Sequence, residues 1–205
     1  MMDGDGARRP GSEIGDSRAR RVALLVALAL FGVLQLGGTA WRDALRYERD
    51  AVQAGEWWRL LGAHAVHFDL RHLAFNAAGL VLLWGLFARE LPLRRWALIV
   101  LAAVAVIDAG LWWQRPAVQW YLGASGVLHG LWSAGAWQRW RRERGWGALP
   151  LLALGLKLVF ERMRGGSLVV GDLPVLLSAH LYGALGGLLP VLAWQAGRAR
   201  PPRPL

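Results

Sequence analysis

The run Gly123-Ala124-Ser125-Gly126-Val127-Leu128-His129-Gly130 opens an apolar stretch, roughly residues 122–138, long enough to enter a membrane as a helix. A second run, His180-Leu181-Tyr182-Gly183-Ala184-Leu185-Gly186-Gly187, stands a similar short distance into another apolar stretch, roughly residues 173–195. A Ser and a His at matched depth in lipid are costly to keep, and ionisable residues inside membrane segments mark function by default. If the two helices touch, the pair makes a nucleophile and its base.

Outward from these runs, the chain of 205 residues is 55% hydrophobic, too apolar for an ordinary soluble domain of this length. Six apolar segments stand out, at about 21–40, 63–88, 93–114, 122–138, 147–160 and 173–195. The fifth is the weakest, being short and interrupted by Lys157. The first has arginines before it and small residues after it, as a signal peptide does, but its length reads as a retained helix. The expectation is an all-α membrane protein, a six-transmembrane-helix bundle over residues 21–196. Residues 1–20 are expected to be a disordered cytoplasmic tail, and 197–205 a basic, Pro-rich cytoplasmic tail.

The formal charge of +10 comes from arginines that fall in clumps between the apolar runs. Arg8, Arg9, Arg18, Arg20 and Arg21 precede the first segment; Arg89, Arg94 and Arg95 follow the second; Arg139, Arg141, Arg142 and Arg144 follow the fourth; Arg198, Arg200 and Arg203 end the chain. Basic residues in alternate loops set membrane orientation, here with both termini inside, and do not read as a face for nucleic acid. With that orientation the second, fourth and sixth helices all run inward. Their polar residues, His64, His67, His72 and Asn76, then Ser125 and His129, then His180, form one layer near the external face. The chain has no Cys, which removes thiolate nucleophiles and Cys-ligated metals. His64 and His67 beside His72 lack the carboxylates or HExxH spacing of a zinc site, so no metal and no cofactor are expected.

Small residues indicate which helices approach. Gly126 and Gly130 lie four apart on the fourth segment; Ala179, Gly183 and Gly187 lie four apart on the sixth. Such small-xxx-small faces let helix backbones meet and would bring Ser125 to His180.

Four motifs together resemble the rhomboid family of intramembrane serine proteases. In order they are Gly55-Glu56-Trp57-Trp58-Arg59, His72-x-x-x-Asn76, Gly123-x-Ser125-Gly126 and His180-x-x-Gly183-x-x-x-Gly187. The resemblance runs from Gly55 to about Leu189. It implies Ser125 as nucleophile and His180 as general base, a dyad, with His72 and Asn76 joining the Ser125 backbone N–H as oxyanion stabilisers. One departure is His129, where bacterial members commonly carry Tyr. The Ser125-Gly126-x-x-His129-Gly130 run, the compact chain and Gly-Glu-Trp-Trp-Arg are similar to the rhombosortase subgroup. That similarity implies transmembrane-anchored protein substrates with a C-terminal Gly-Gly motif, in a bacterial inner (cytoplasmic) membrane. His129, one turn from Ser125, competes with His180 as base; His180 is preferred because it approaches from a separate helix, leaving His129 to pack against His180 or to touch substrate.

The rival readings are a non-catalytic rhomboid-like protein that binds or traffics membrane clients, and a small transporter. The first is disfavoured because both Ser125 and His180 are present. The second lacks a polar route through the inner half of the helices. Asp108 is open to three roles: orienting a histidine, pairing an arginine, or facing water. Glu90 is expected to pair with Arg89 or Arg94, and Arg59 to shape the loop entering the membrane.

Overall fold

The structure, a computed structural model, describes residues 10–164 and 176–198. Among these the chain forms nine α-helices and one two-stranded ribbon. Helix α1 spans Pro10–Leu36 and is followed by α2 Gly38–Leu45, strand β1 Tyr47–Glu48, α3 Arg49–Gln53 and α4 Arg59–Gly62. Then come α5 Leu70–Phe87 and α6 Leu93–Ala109, the latter ending in a π-turn at Gly110–Gln114. Strand β2 Trp120–Tyr121 leads into α7 Ser125–Arg142, and α8 Leu149–Arg164 and α9 Leu177–Arg198 complete the order.

Among the described residues four helical stretches are long and apolar enough to cross a membrane: Ser17–Leu36, Leu70–Phe87, Leu93–Gln114 and Leu177–Gly197. Helices α7 and α8 stand where the fourth and fifth segments were expected but are less apolar, for different reasons. α8 is short and carries Lys157 and Glu161. α7 packs against α5, α6, α8 and α9 and buries Gly126 through Leu131 and Ser133 through Ala136. A helix enclosed by other helices need not meet lipid with its own side chains, so Gly, Ser and His can stand where Leu would otherwise be needed.

Several boundaries differ from the sequence expectation. Helix α1 begins at Pro10 rather than Arg21, within the expected disordered tail; Pro at a first helical position and the helix-forming Arg-Ala-Arg-Arg run extend it backward. It ends before Gly38, whose φ of +61° breaks the axis. The expected 63–88 helix starts only at Leu70, because the extended Asp69 caps it, its Oδ1 accepting the His72 N–H at 2.7 Å. His64 and His67 therefore lie on the connecting segment, not on that helix. α8 runs on to Arg164, past the expected end at residue 160. Residues 1–9, 173–175 and 199–205 of the expected tails and sixth segment lie outside the described residues.

The segment between α1 and α5 supports the start of α7. Strands β1 and β2 pair antiparallel, Tyr47 opposite Tyr121 and Glu48 opposite Trp120. Buried Arg49 donates to the Leu111 carbonyl at 2.7 Å and lies over the Trp112 ring, closing the end of the π-turn. Arg59 binds Glu56 at 2.6 Å and the Asp43 and Arg46 carbonyls at 2.6 and 3.0 Å, so it ties the loop before α5 together. At the opposite end of the bundle Glu90 takes Arg139 and Arg142, each at 3.1 Å. These partners replace the expected Arg89 or Arg94, since α7 lays its last turn across the end of α5.

Candidate active site

The seam between α7 and α9 is made of missing side chains. A Cβ on Gly183 or Gly187 would run into the backbone of Gly126 or Gly130, and one on Gly130 would come within 2.8 Å of the Gly183 carbonyl. The two helices therefore meet backbone to backbone, with Ser133 Oγ donating to the Ala184 carbonyl at 2.7 Å as a cross-tie. This contact carries His180 to Ser125: His180 Nε2 lies 3.0 Å from Ser125 Oγ, with His180 buried and Ser125 half-buried.

Ser125 is the first residue of α7, so its N–H has no carbonyl a turn earlier to bond. Before it, Gly123 adopts φ +115°, a left-handed conformation that a side chain resists. A Cβ there would also meet the His72 imidazole, 2.6 Å from Cε1. Two bonds fix this turn: the Gly123 N–H donates to the Ala63 carbonyl at 2.8 Å and Tyr121 Oη donates to the Gly123 carbonyl at 2.9 Å.

His72 and Asn76 line a cavity of about 330 Å³ together with Ser125, His129, Lys157 and His180. The remaining wall is apolar, with Phe75, Leu82, Leu83, Leu128 and Trp132. The Phe68 N–H approaches His72 Nδ1 at 3.4 Å, which places the imidazole proton on Nε2, the nitrogen beside Gly123. Buried Asn76 gives one amide hydrogen to the His72 carbonyl at 3.1 Å and keeps a second. His67 is wedged edge-on between Phe31 and His72, neither of its ring nitrogens bonded among the described residues, and His64 Nε2 meets Asp108 Oδ1 at 3.2 Å. Of the three roles open to Asp108, the structure places it on a histidine.

His129 stacks on His180, the rings 4.1 Å apart and 13° from parallel. Its Nδ1 reaches the Ser125 carbonyl at 2.7 Å, not the hydroxyl, so the geometry gives the Ser125 hydroxyl to His180 alone. Two residues absent from the sequence-derived site complete the surroundings. Glu161 Oε2 lies 2.9 Å from His180 Nδ1, and Lys157 Nζ lies 2.5 Å from Glu161 Oε1 and 3.0 Å from His129 Nε2. The available signal was the i, i+4 spacing of Lys157 and Glu161, a charge pair within an apolar segment. His129, Glu161 and His180 place donor atoms within 4.8 Å of one another, as metal ligands would. Lys157 Nζ bonds two of the three, His129 and Glu161.

Residues 54–195 match the family described as Rhomboid domain. The chain is also 27% identical over 175 residues to a Bacillus subtilis (strain 168) protein described as "Putative rhomboid protease YdcA", covering 82% of this chain and 83% of that one. The family match spans well over half of the chain, including α5 to α9 and the α7–α9 seam, and this multi-pass membrane protein belongs to the rhomboid family.

Proposed function

We propose that the chain is an intramembrane serine protease whose Ser125 and His180 act as nucleophile and general base. The observation that carries the reading is the 3.0 Å approach of His180 Nε2 to Ser125 Oγ at the head of the cavity. His180 accepts the Ser125 hydroxyl proton as Oγ attacks a substrate carbonyl. The oxyanion meets the Ser125 N–H, the His72 Nε2–H and the free amide hydrogen of Asn76, donors set in place before the charge appears. His180 then gives its proton to the leaving amine, and water hydrolyses the acyl-enzyme by the same route in reverse.

A transmembrane helix hides its carbonyls in its own hydrogen bonds, so the substrate must present an unwound segment. Glycine supplies unwinding at low steric cost. We therefore take the substrates to be membrane-anchored proteins with a Gly-Gly segment beside the anchor, processed in the rhombosortase manner. The clumped arginines support an orientation with both termini in the cytoplasm, the Ser125 end of the bundle facing outward, and residence in a bacterial inner membrane as a six-span bundle.

Fluorophosphonate labelling of the purified chain tests the core of this reading. Wild type is expected to label and Ser125→Ala to be silent. Equal labelling of the two would end it. Cleavage of a Gly-Gly-tailed anchored reporter, compared with the same anchor bearing Ala-Ala, tests the substrate class separately.

A further inference from the structure

We propose that Glu161 completes a Ser125–His180–Glu161 triad as the residue that positions the base, with Lys157 as its counter-ion. This rests on the reading of Ser125 as nucleophile and adds a member that the dyad does not include.

The hydrogen bonds around Ser125 form a closed circuit whose directions are dictated by chemistry. The Ser125 carbonyl can only accept, so His129 Nδ1, 2.7 Å away, carries a proton. The other nitrogen of a neutral His129 then accepts from Lys157 Nζ at 3.0 Å. Lys157 donates again to Glu161 Oε1 at 2.5 Å. Glu161 Oε2 accepts from His180 Nδ1–H at 2.9 Å, which leaves the His180 Nε2 lone pair facing Ser125 Oγ at 3.0 Å. Every group donates or accepts as it must, and the circuit returns to the residue where it began. A hydrogen bond to one ring nitrogen decides which tautomer the other presents, and here it presents the basic one to the nucleophile.

Burial argues in the same direction. Glu161 is 1% exposed, and apart from Leu154 it is the only buried residue of α8. A carboxylate so placed is costly unless fully partnered. Balancing Lys157, one turn earlier on the same helix, would use one carboxylate oxygen, yet the second is spent on the imidazole that faces Ser125. As Oγ–H gives its proton to Nε2, His180 becomes cationic in a medium of low dielectric. Glu161 stabilises that cation while the Nδ1 proton stays between them. Because Lys157 already balances Glu161 at rest, His180 is not needed as its counter-ion and stays free to take the proton. Among the described residues the other titratable groups around His180 are His129 on α7 and His72 on α5, and neither supplies a negative charge.

The full chain in proteoliposomes, reacted with a fluorophosphonate, reads this unit without knowledge of the substrate. The Ser125 Oγ–P bond forms, the P–F bond breaks, fluoride leaves and the hydroxyl proton goes to His180. Glu161→Gln is expected to label about a hundredfold more slowly or worse, with Glu161→Asp regaining at least about a tenth of the wild-type rate. The Gln amide must also turn its NH₂ toward one of two donors, so Glu161→Gln with Lys157→Met removes that mismatch without restoring charge. A double variant that melts near wild type yet stays slow supports the triad. Glu161→Gln labelling within about threefold of wild type overturns it, as does a double variant labelling at the full rate. If these variants do not fold, ¹⁵N-histidine spectra of wild type decide: a protonated, strongly downfield His180 Nδ1–H supports the bond, and an unprotonated Nδ1 overturns it. Wild type that labels no better than Ser125→Ala would instead sink the protease reading itself, and the triad with it.

Discussion

Helices α7 and α8 both bring groups to the site, and they are held in opposite ways. α7 is buried along nearly its first three turns and lies against α9 with no side chain between the glycines. α8 exposes Leu149, Leu152, Leu156, Val159, Phe160 and Met163 and buries only Leu154 and Glu161. In lipid, apolar exposure carries no penalty, and apolar contact between helices gains little over contact with acyl chains. The seam therefore fixes Ser125 against His180 through backbone shape, whereas α8 is attached at the site through the hydrogen bonds of two charged residues, Lys157 to His129 and Glu161 to His180. A backbone seam is rigid and intolerant of added atoms; a charged attachment is tolerant of shape and intolerant of losing a partner.

The largest effect is expected from breaking the seam. Gly183→Val places branched carbons against the Gly126 carbonyl, with no flexible end to turn aside. Overpacking of this kind costs about 1–3 kcal/mol or more even where neighbours can shift. Here it also moves His180 away from Ser125, and a 1 Å misplacement can cost about a hundredfold in rate. Fluorophosphonate labelling should fall by at least that factor, and the melting temperature in detergent should drop. Wild-type labelling with an unchanged melt would show that α7 and α9 are not in backbone contact.

The charged attachment should break differently. Lys157→Met leaves Glu161 buried with His180 as its remaining partner, and Lys157 is itself partly exposed, 18% of its side chain. A loss of about 1–3 kcal/mol is expected, below the figure for a fully enclosed pair. Lys157→Met with Glu161→Met should regain that stability, since an apolar pair of similar volume replaces a buried ion pair at little or no cost. Its labelling should remain slow. Thermal melts and labelling rates of the single and double variants together check this; a double variant less stable than the single would mean that the Glu161–His180 bond stabilises α8 even without Lys157, and that an unpaired charge is not the cause of the loss.

Much of the seam was legible in the sequence because it depends on residue types at a fixed spacing. Gly126 and Gly130 against Ala179, Gly183 and Gly187 can be read as two small faces without coordinates, and His72-x-x-x-Asn76 puts two polar groups on one helical face. The α8 attachment was not legible for a local reason. An apolar segment ended at residue 160 stops one residue short of Glu161, and Lys157 then looks like a flaw in a weak span. Continuing that helix for one turn joins the two at i, i+4, a spacing that hydropathy alone does not report. The positions of His64 and His67 were hidden similarly, because Asp69, a strong cap, reads as one more polar residue until its backbone is seen to be extended. Asp69→Ala should cost about 1 kcal/mol of stability and loosen His72, whose N–H it accepts. Slower labelling with a small fall in melting temperature would show both effects.

His129 belongs to both regions, and its replacement should have the smallest effect of the set. Its ring is part of the seam, lying on His180, while its Nε2 is the seam's one bond to Lys157. His129→Phe keeps a flat ring on His180 and removes both hydrogen bonds. Lys157 still holds Glu161 and has some access to solvent, and the Ser125 carbonyl remains inside a helix, where the N–H one turn later satisfies it. The net loss is therefore that of about one ordinary hydrogen bond, ~1 kcal/mol, with labelling reduced no more than about tenfold. His129→Ala removes the ring as well and opens a space beside His180, so it should be clearly worse than Phe. If the two variants label alike, the stacked ring contributes nothing to holding the base. If Phe is as slow as Glu161→Gln, the bond from His129 to Lys157 sustains the circuit as much as the carboxylate does, and the division between a rigid seam and a charged attachment dissolves into one network.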